Sequence, residues 1–172
     1  MHRDFWEAGY RVFGLYRCGC GNADCKAVGK HPLISNWQHT PIWDAEQIEA
    51  MEMADQFATG FGVLIRGLLV IDVDARNGGV DSYQRLMADF PDIEKAGLIV
   101  ATGSGGGSKH VYFSVAEDLA LVQKHPDYPG IDFKSSGYVV GPGSKHASGA
   151  IYSVDYGSPY DIDKAPDDLI SL

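Results

Sequence analysis

Residues 68–74 read Leu-Leu-Val-Ile-Asp-Val-Asp and run on into Ala-Arg-Asn-Gly-Gly at 75–79. Four successive apolar residues predict a strand buried on both faces. Residues two apart on a strand share a face, so Asp72 and Asp74 point to one side and Val73 to the other. Two carboxylates there repel and raise each other's proton affinity. A divalent cation relieves that repulsion, and hard cations such as magnesium take oxygen ligands. A solvated acidic turn at a strand end is the other reading of these residues. A calcium loop beginning at Asp72 fails on spacing, because Asn77 stands where glycine is required and Tyr83 where a bidentate glutamate is needed.

Upstream, residues 61–65 (Phe-Gly-Val-Leu-Ile) form another strand pattern, separated from residue 68 only by Arg66 and Gly67, which predicts a hairpin. Residues 2–9 fit a short helix and 11–16 a strand. Asp44, with Gln47 three residues on, has the form of a capping box opening a helix. Downstream, residues 81–87 form a candidate helix ended by Phe90-Pro91, and 98–102 another strand.

A glycine-rich turn follows, Gly-Ser-Gly-Gly-Gly-Ser-Lys-His at 103–110. Its backbone can approach an anion closely. It leads into the β-rich Val-Tyr-Phe rather than a helix, which excludes a dinucleotide fingerprint. Lys109 is followed by His110 rather than Ser or Thr, which excludes a P-loop. What remains is a turn delivering Ser108 and His110 at alternate positions of a strand. Residues 130–144 then set Asp132 between Ile131 and Phe133, an awkward place for a carboxylate unless something binds it. Lys134, Ser135 and Ser136 follow, with Tyr-Val-Val at 138–140.

All three cysteines, Cys18, Cys20 and Cys25, fall within one short stretch, and His31 follows. Three thiolates and an imidazole match a structural zinc set, with no open position for chemistry. The alternative is three reduced cysteines in a loop. An odd number of cysteines argues against a disulfide framework.

The chain has 172 residues, 45% of them hydrophobic, enough for one domain or two small modules sharing a core. No apolar run approaches the roughly 18 residues needed to cross a bilayer, and the N-terminus lacks a signal-peptide core, so a cytoplasmic location is expected. A net charge of −9 disfavours loose, whole-surface binding to nucleic acid; such a partner needs a local basic groove or metal ions.

The order Asp-Val-Asp, Ser-Lys-His, Ile-Asp resembles the three motifs of the archaeo-eukaryotic primase superfamily. More narrowly, it resembles the bifunctional primase-polymerase domains of phage, plasmid and other mobile-element replication proteins. Gly29-Lys30-His31-Pro32 with Trp37, the Asp-Ala-Arg-Asn-Gly-Gly run at 74–79, the Lys-Ser-Ser-Gly-Tyr-Val-Val-Gly-Pro run at 134–142 and the closing Pro-Asp-Asp-Leu are similar to that family as well. The resemblance implies an α/β (α+β) fold of two modules, the catalytic half a mixed sheet related to the RNA-recognition fold. It implies one primase-polymerase domain over 1–172, belonging to a longer replication protein; the expected zinc-binding loop at 17–31 rests on the Cys and His residues themselves and resembles insertions in some relatives. It implies template-directed nucleotidyl transfer with NTP or dNTP on single-stranded or primed DNA, and a helicase domain or protein as partner. Asp72, Asp74 and Asp132 are then expected to hold two magnesium or manganese ions. Ser108 and His110 are expected to bind the incoming nucleotide, with Lys134, Ser135 and Ser136 near its triphosphate. A metal-dependent nuclease and a non-catalytic nucleotide- or nucleic-acid-binding module remain alternatives.

Overall fold

The computed structural model describes residues 1–16 and 27–172. Helix α1 (His2–Glu7) leads into β1 (Val12–Gly14); α2 (Ala45–Met53) precedes β2 (Phe61–Leu64) and β3 (Leu68–Val73). Helix α3 (Gly79–Asp89) is followed by β4 (Leu98–Ala101), β5 (Lys109–Ser114), β6 (Ile131–Lys134), β7 (Tyr138–Val140), β8 (Ser153–Gly157) and α4 (Asp167–Ile170). The strands form a three-stranded sheet, β1-β2-β7, and a five-stranded sheet, β6-β3-β5-β4-β8. The α+β class and the two-module plan expected from the sequence are both present. All named strand pairs are antiparallel, and the parallel part of the expected mixed sheet is a single bridge, Ser114 to Lys164. Counted from β3, four strands of the larger sheet lie in the order fourth, first, third, second, with α3 joining the first to the second. That is the split β-α-β arrangement of RNA-recognition-type folds.

The expected hairpin at Arg66-Gly67 does not form. β2 lies between β1 and β7, and β3 between β5 and β6, so the short connection carries the chain from one sheet to the other. Residues 130–144 cross back in the same way, β6 in the large sheet and β7 in the small one. The Ile65 amide donates to the Gly137 carbonyl at 2.9 Å, joining the two crossovers. β3 carries apolar side chains on both faces, and a strand paired on both edges buries them where a hairpin would not.

Period-two alternation assigns the two faces of β3. Leu69, Ile71 and Val73 pack with Val111, Phe113, Ile131 and Phe133 beneath Tyr83 and Leu86 of α3. Leu68 and Val70 face the other way, packing with Leu98, Val100 and Tyr112 against Phe5, Val12 and Phe13 of the smaller module. Helix α2 opens as its sequence requires, with the Asp44 carboxylate accepting from Gln47 N–H and the Gln47 side chain accepting from Asp44 N–H. Cys18, Cys20 and Cys25 lie outside the described residues. His31, the fourth member of the expected zinc set, sits where its carbonyl accepts from the Tyr16 amide.

Candidate active site

The face of β3 that packs Leu68 and Val70 into the core reaches Asp72 two residues later, just where the smaller module stops covering the sheet. Antiparallel register sets His110 of β5 opposite Asp72 on one side and Asp132 of β6 opposite it on the other. One rung across three strands therefore reads His110, Asp72, Asp132. Side chains directly opposite on neighbouring strands have Cβ atoms about 5 Å apart, and like charges so placed repel. Lys134, two residues beyond Asp132 on the same face, answers that repulsion. Its Nζ lies 3.5 Å from Asp72 Oδ2 and 3.9 Å from Asp132 Oδ2. Gln123 donates to Asp132 Oδ2 at 3.0 Å and steadies it.

Asp74 lies one residue beyond the end of β3 and caps the 3-10 turn Ala75–Asn77. Its Oδ1 accepts from the Arg76 amide and from Arg76 Nε, both at 3.0 Å. Its Oδ2 accepts from the other arm of the guanidinium at 3.1 Å and from the Asn77 side chain at 2.8 Å. Those bonds, led by the Arg76 guanidinium, hold its carboxyl below the usual carboxylate range. Ser108 supports this turn from behind, its buried hydroxyl accepting from the Ala75 amide at 3.0 Å.

Gly105, Gly106 and Gly107 all adopt positive φ, the left-handed region that only glycine enters freely. They close the β4–β5 connection so that Ser108 and His110 emerge toward Asp72. Lys109 goes to the opposite face, its Nζ 5.2 Å from the centre of the Tyr83 ring. His110 is buried, with Nε2 3.6 Å from Asp72 Oδ1. Burial pushes its imidazole down from the ordinary 6.5 to about 4, outweighing the opposite pull of Asp72, so the ring is neutral at pH 7. Neither His110 Nδ1 nor the Tyr112 hydroxyl has a hydrogen-bond partner among the described residues.

These side chains line a cleft of about 610 Å³. Asp72, Asp74, Asp132, Ser108 and His110 all border it. So do Lys30, Arg76 and Lys124, cations that sequence reasoning did not single out. Lys30 and Arg76 sit inside segments already noted as family-like, which was a usable signal; Lys124 arrives from an irregular loop with none. Lys134, Ser135 and Ser136 are not brought to the cleft lining. The Ser135 hydroxyl accepts from the Leu121 amide, and Ser136 is exposed in the crossover after β6.

Asp72, Asp74 and Asp132 all border the cleft, and carboxylate oxygens are the donor type that magnesium and manganese take. Among the described residues, no three His, Cys, Asp or Glu side chains stand close enough together to hold a metal ion as they are arranged. Asp74 itself is turned onto Arg76 and Asn77.

Residues 2–168 match the family model Prim-Pol, bifunctional DNA primase/polymerase, N-terminal, and the chain belongs to that family. No curated protein matches the chain. Membership makes it a DNA primase/polymerase-type nucleotidyltransferase acting with a DNA template and nucleotides, in a family that depends on divalent metal. Among the described residues, no helix is long and apolar enough to cross a membrane.

Proposed function

From that membership as premise, we propose that this chain extends primers on a DNA template, with Asp72, Asp74 and Asp132 as ligands of two magnesium or manganese ions. The observation that supports this best is the shared rung. Asp72 and Asp132, far apart in the chain, are direct cross-strand neighbours beside a neutral histidine. Bound there, the ions would supply activation of the primer 3′-hydroxyl and neutralisation of charge on the departing pyrophosphate.

The protein's own groups do the rest. Lys30, Lys124 and Arg76 give an acidic chain the local positive charge that a triphosphate needs, concentrated in the one cleft where the carboxylates stand. Lys134 holds Asp72 and Asp132 together before substrate arrives. His110, neutral and wedged against Tyr112 and Tyr152, gives the nucleotide side of the cleft a rigid wall, with a ring nitrogen able to bond a phosphate or sugar oxygen.

Primer extension with manganese, comparing the wild type with Asp72→Ala and Asp132→Ala, tests the reading. Each substitution is expected to reduce extension by roughly a thousandfold or more, since charge stabilisation by bound metal is worth several kcal/mol. Each removes one member of a like-charged pair, so the circular dichroism spectrum and Tm should be maintained. Primer shortening instead of lengthening would identify a nuclease, and no length change in the wild type a binding module. Extension is expected to exceed priming, because starting a chain requires holding two nucleotides and the template together. Robust dinucleotide synthesis on an unprimed template would contradict that ranking.

A further inference from the structure

Taking Asp74 as a metal ligand from the function proposed above, we propose that Arg76 is a resident counter-cation that leaves Asp74 when the divalent ion arrives and then binds the nucleotide's phosphates. A carboxylate offers about four lone-pair positions. On Asp74 all four are used: Oδ1 by the Arg76 amide and Nε, Oδ2 by the guanidinium and the Asn77 amide group. Nothing remains for a cation until a donor withdraws.

The four donors are not equally free to do so. The Arg76 amide is fixed in the 3-10 turn, which is closed by Gly78 at φ +82° and tied down where Asp74 N–H donates to the Gly130 carbonyl. The Asn77 side chain hangs from the same turn. The guanidinium is on a long stem and 70% exposed, so it can swing without disturbing any backbone. It borders the same cleft as Lys30 and Lys124. A guanidinium released there meets the most negative part of the incoming nucleotide, and its planar fork suits phosphate oxygens. The ion that takes Asp74 frees one guanidinium for the phosphates that enter the same cleft. Lys134 is a poorer candidate for this role, since it is only 23% exposed and pinned between two carboxylates.

The test is manganese binding by the full chain without nucleotide, followed by electron paramagnetic resonance, for the wild type, Arg76→Ala, Arg76→Lys and Arg66→Ala. Arg66 pairs with Glu117 and neither lines the cleft, so Arg66→Ala removes the same charge without touching Asp74. Arg76→Ala is expected to bind manganese roughly twofold to fivefold more tightly, the size of an exposed pair removed. The same variant is expected to bind a nucleoside triphosphate several-fold more weakly in calcium, without primer. Arg76→Lys should fall between, and Arg66→Ala should track the wild type. Unchanged or weaker manganese binding by Arg76→Ala overturns the exchange, as does an equal gain in Arg66→Ala, which would mean bulk charge. Both readouts are independent of turnover. A wild type that binds manganese but never extends a primer refutes the polymerase reading, while the Arg76 comparison is still scored on its own.

Discussion

His110 is the residue whose behaviour depends most on its surroundings. Folded, it stays neutral down to about pH 4, whereas in the unfolded chain it takes a proton below about 6.5. Between those values the unfolded state binds more protons, so stability falls as pH drops from 6.5 toward 4. The shift corresponds to at most about 3 kcal/mol. Denaturant titrations at several pH values should show this slope in the wild type and a flatter one in His110→Gln. An unchanged slope would mean that the proton goes elsewhere. At this scale the sequence was informative about Asp72, Asp132, Ser108 and His110, because strand alternation alone says which side chains share a face. It was silent about which partner each acid takes. That Lys134 bridges Asp72 and Asp132, while Asp74 turns to Arg76, follows from register and turn geometry.

Among elements, the critical join is between the turn after β3 and the entry to β6. Gly130 adopts φ +79°, and a Cβ there would lie 2.5 Å from the Gly79 nitrogen and 2.6 Å from the Asn77 carbonyl oxygen. Gly79 is crowded in return by the Gly130 carbonyl. The two backbones touch where the turn after β3 packs on the entry to β6. Gly130→Ala is therefore expected to cost about 3 kcal/mol or more, combining left-handed strain with a backbone clash. Thermal melting should show it as a fall of roughly 6 °C or more for a chain of this size. Loss of primer extension should accompany it even below the melting range, since the Asp74 turn shifts. A melting temperature within a degree or two of the wild type would show that the join relaxes easily. Helix α2 and the strand character of 68–73 were legible, each being fixed by local pattern. The pairing of β2 and β3 was not, because a short glycine connection serves a hairpin and a sheet-to-sheet crossover equally well.

Across the whole molecule, the two modules share one seam rather than standing apart. Phe5 of α1 packs 5.9 Å from Tyr112 of β5 and 5.7 Å from Phe61 of β2, ring centre to ring centre. The chain passes between the sheets at 65–67, at 135–137 and again at 141–152, and the first two passages are hydrogen-bonded to each other. One core cluster is shared by both sheets, with Leu68, Val70 and Tyr112 of the larger packed among Val12, Phe13 and Val63 of the smaller. Trp6, Trp37 and Trp43, the three tryptophans of the chain, all pack around the core of the smaller module, so their fluorescence reports that half while far-ultraviolet circular dichroism reports both. The two probes are expected to give superimposable urea transitions, as a cooperative unit requires. Separate midpoints would mean that the modules unfold independently.

By itself the sequence determined the strands up to β7, though not β8, which of their faces are apolar, and that acidic side chains interrupt two of those faces. These are consequences of local periodicity, which any short window of the chain carries. The tertiary structure alone decided that the acids at 72 and 132 share a rung, that Arg76 occupies Asp74, that Lys30 and Lys124 supply the cleft's positive charge, and that Ser135 and Ser136 stay outside it. Those facts depend on which strand edges meet and where loops return, and long-range pairing is chosen by the burial of both sheets together, a quantity no local stretch contains.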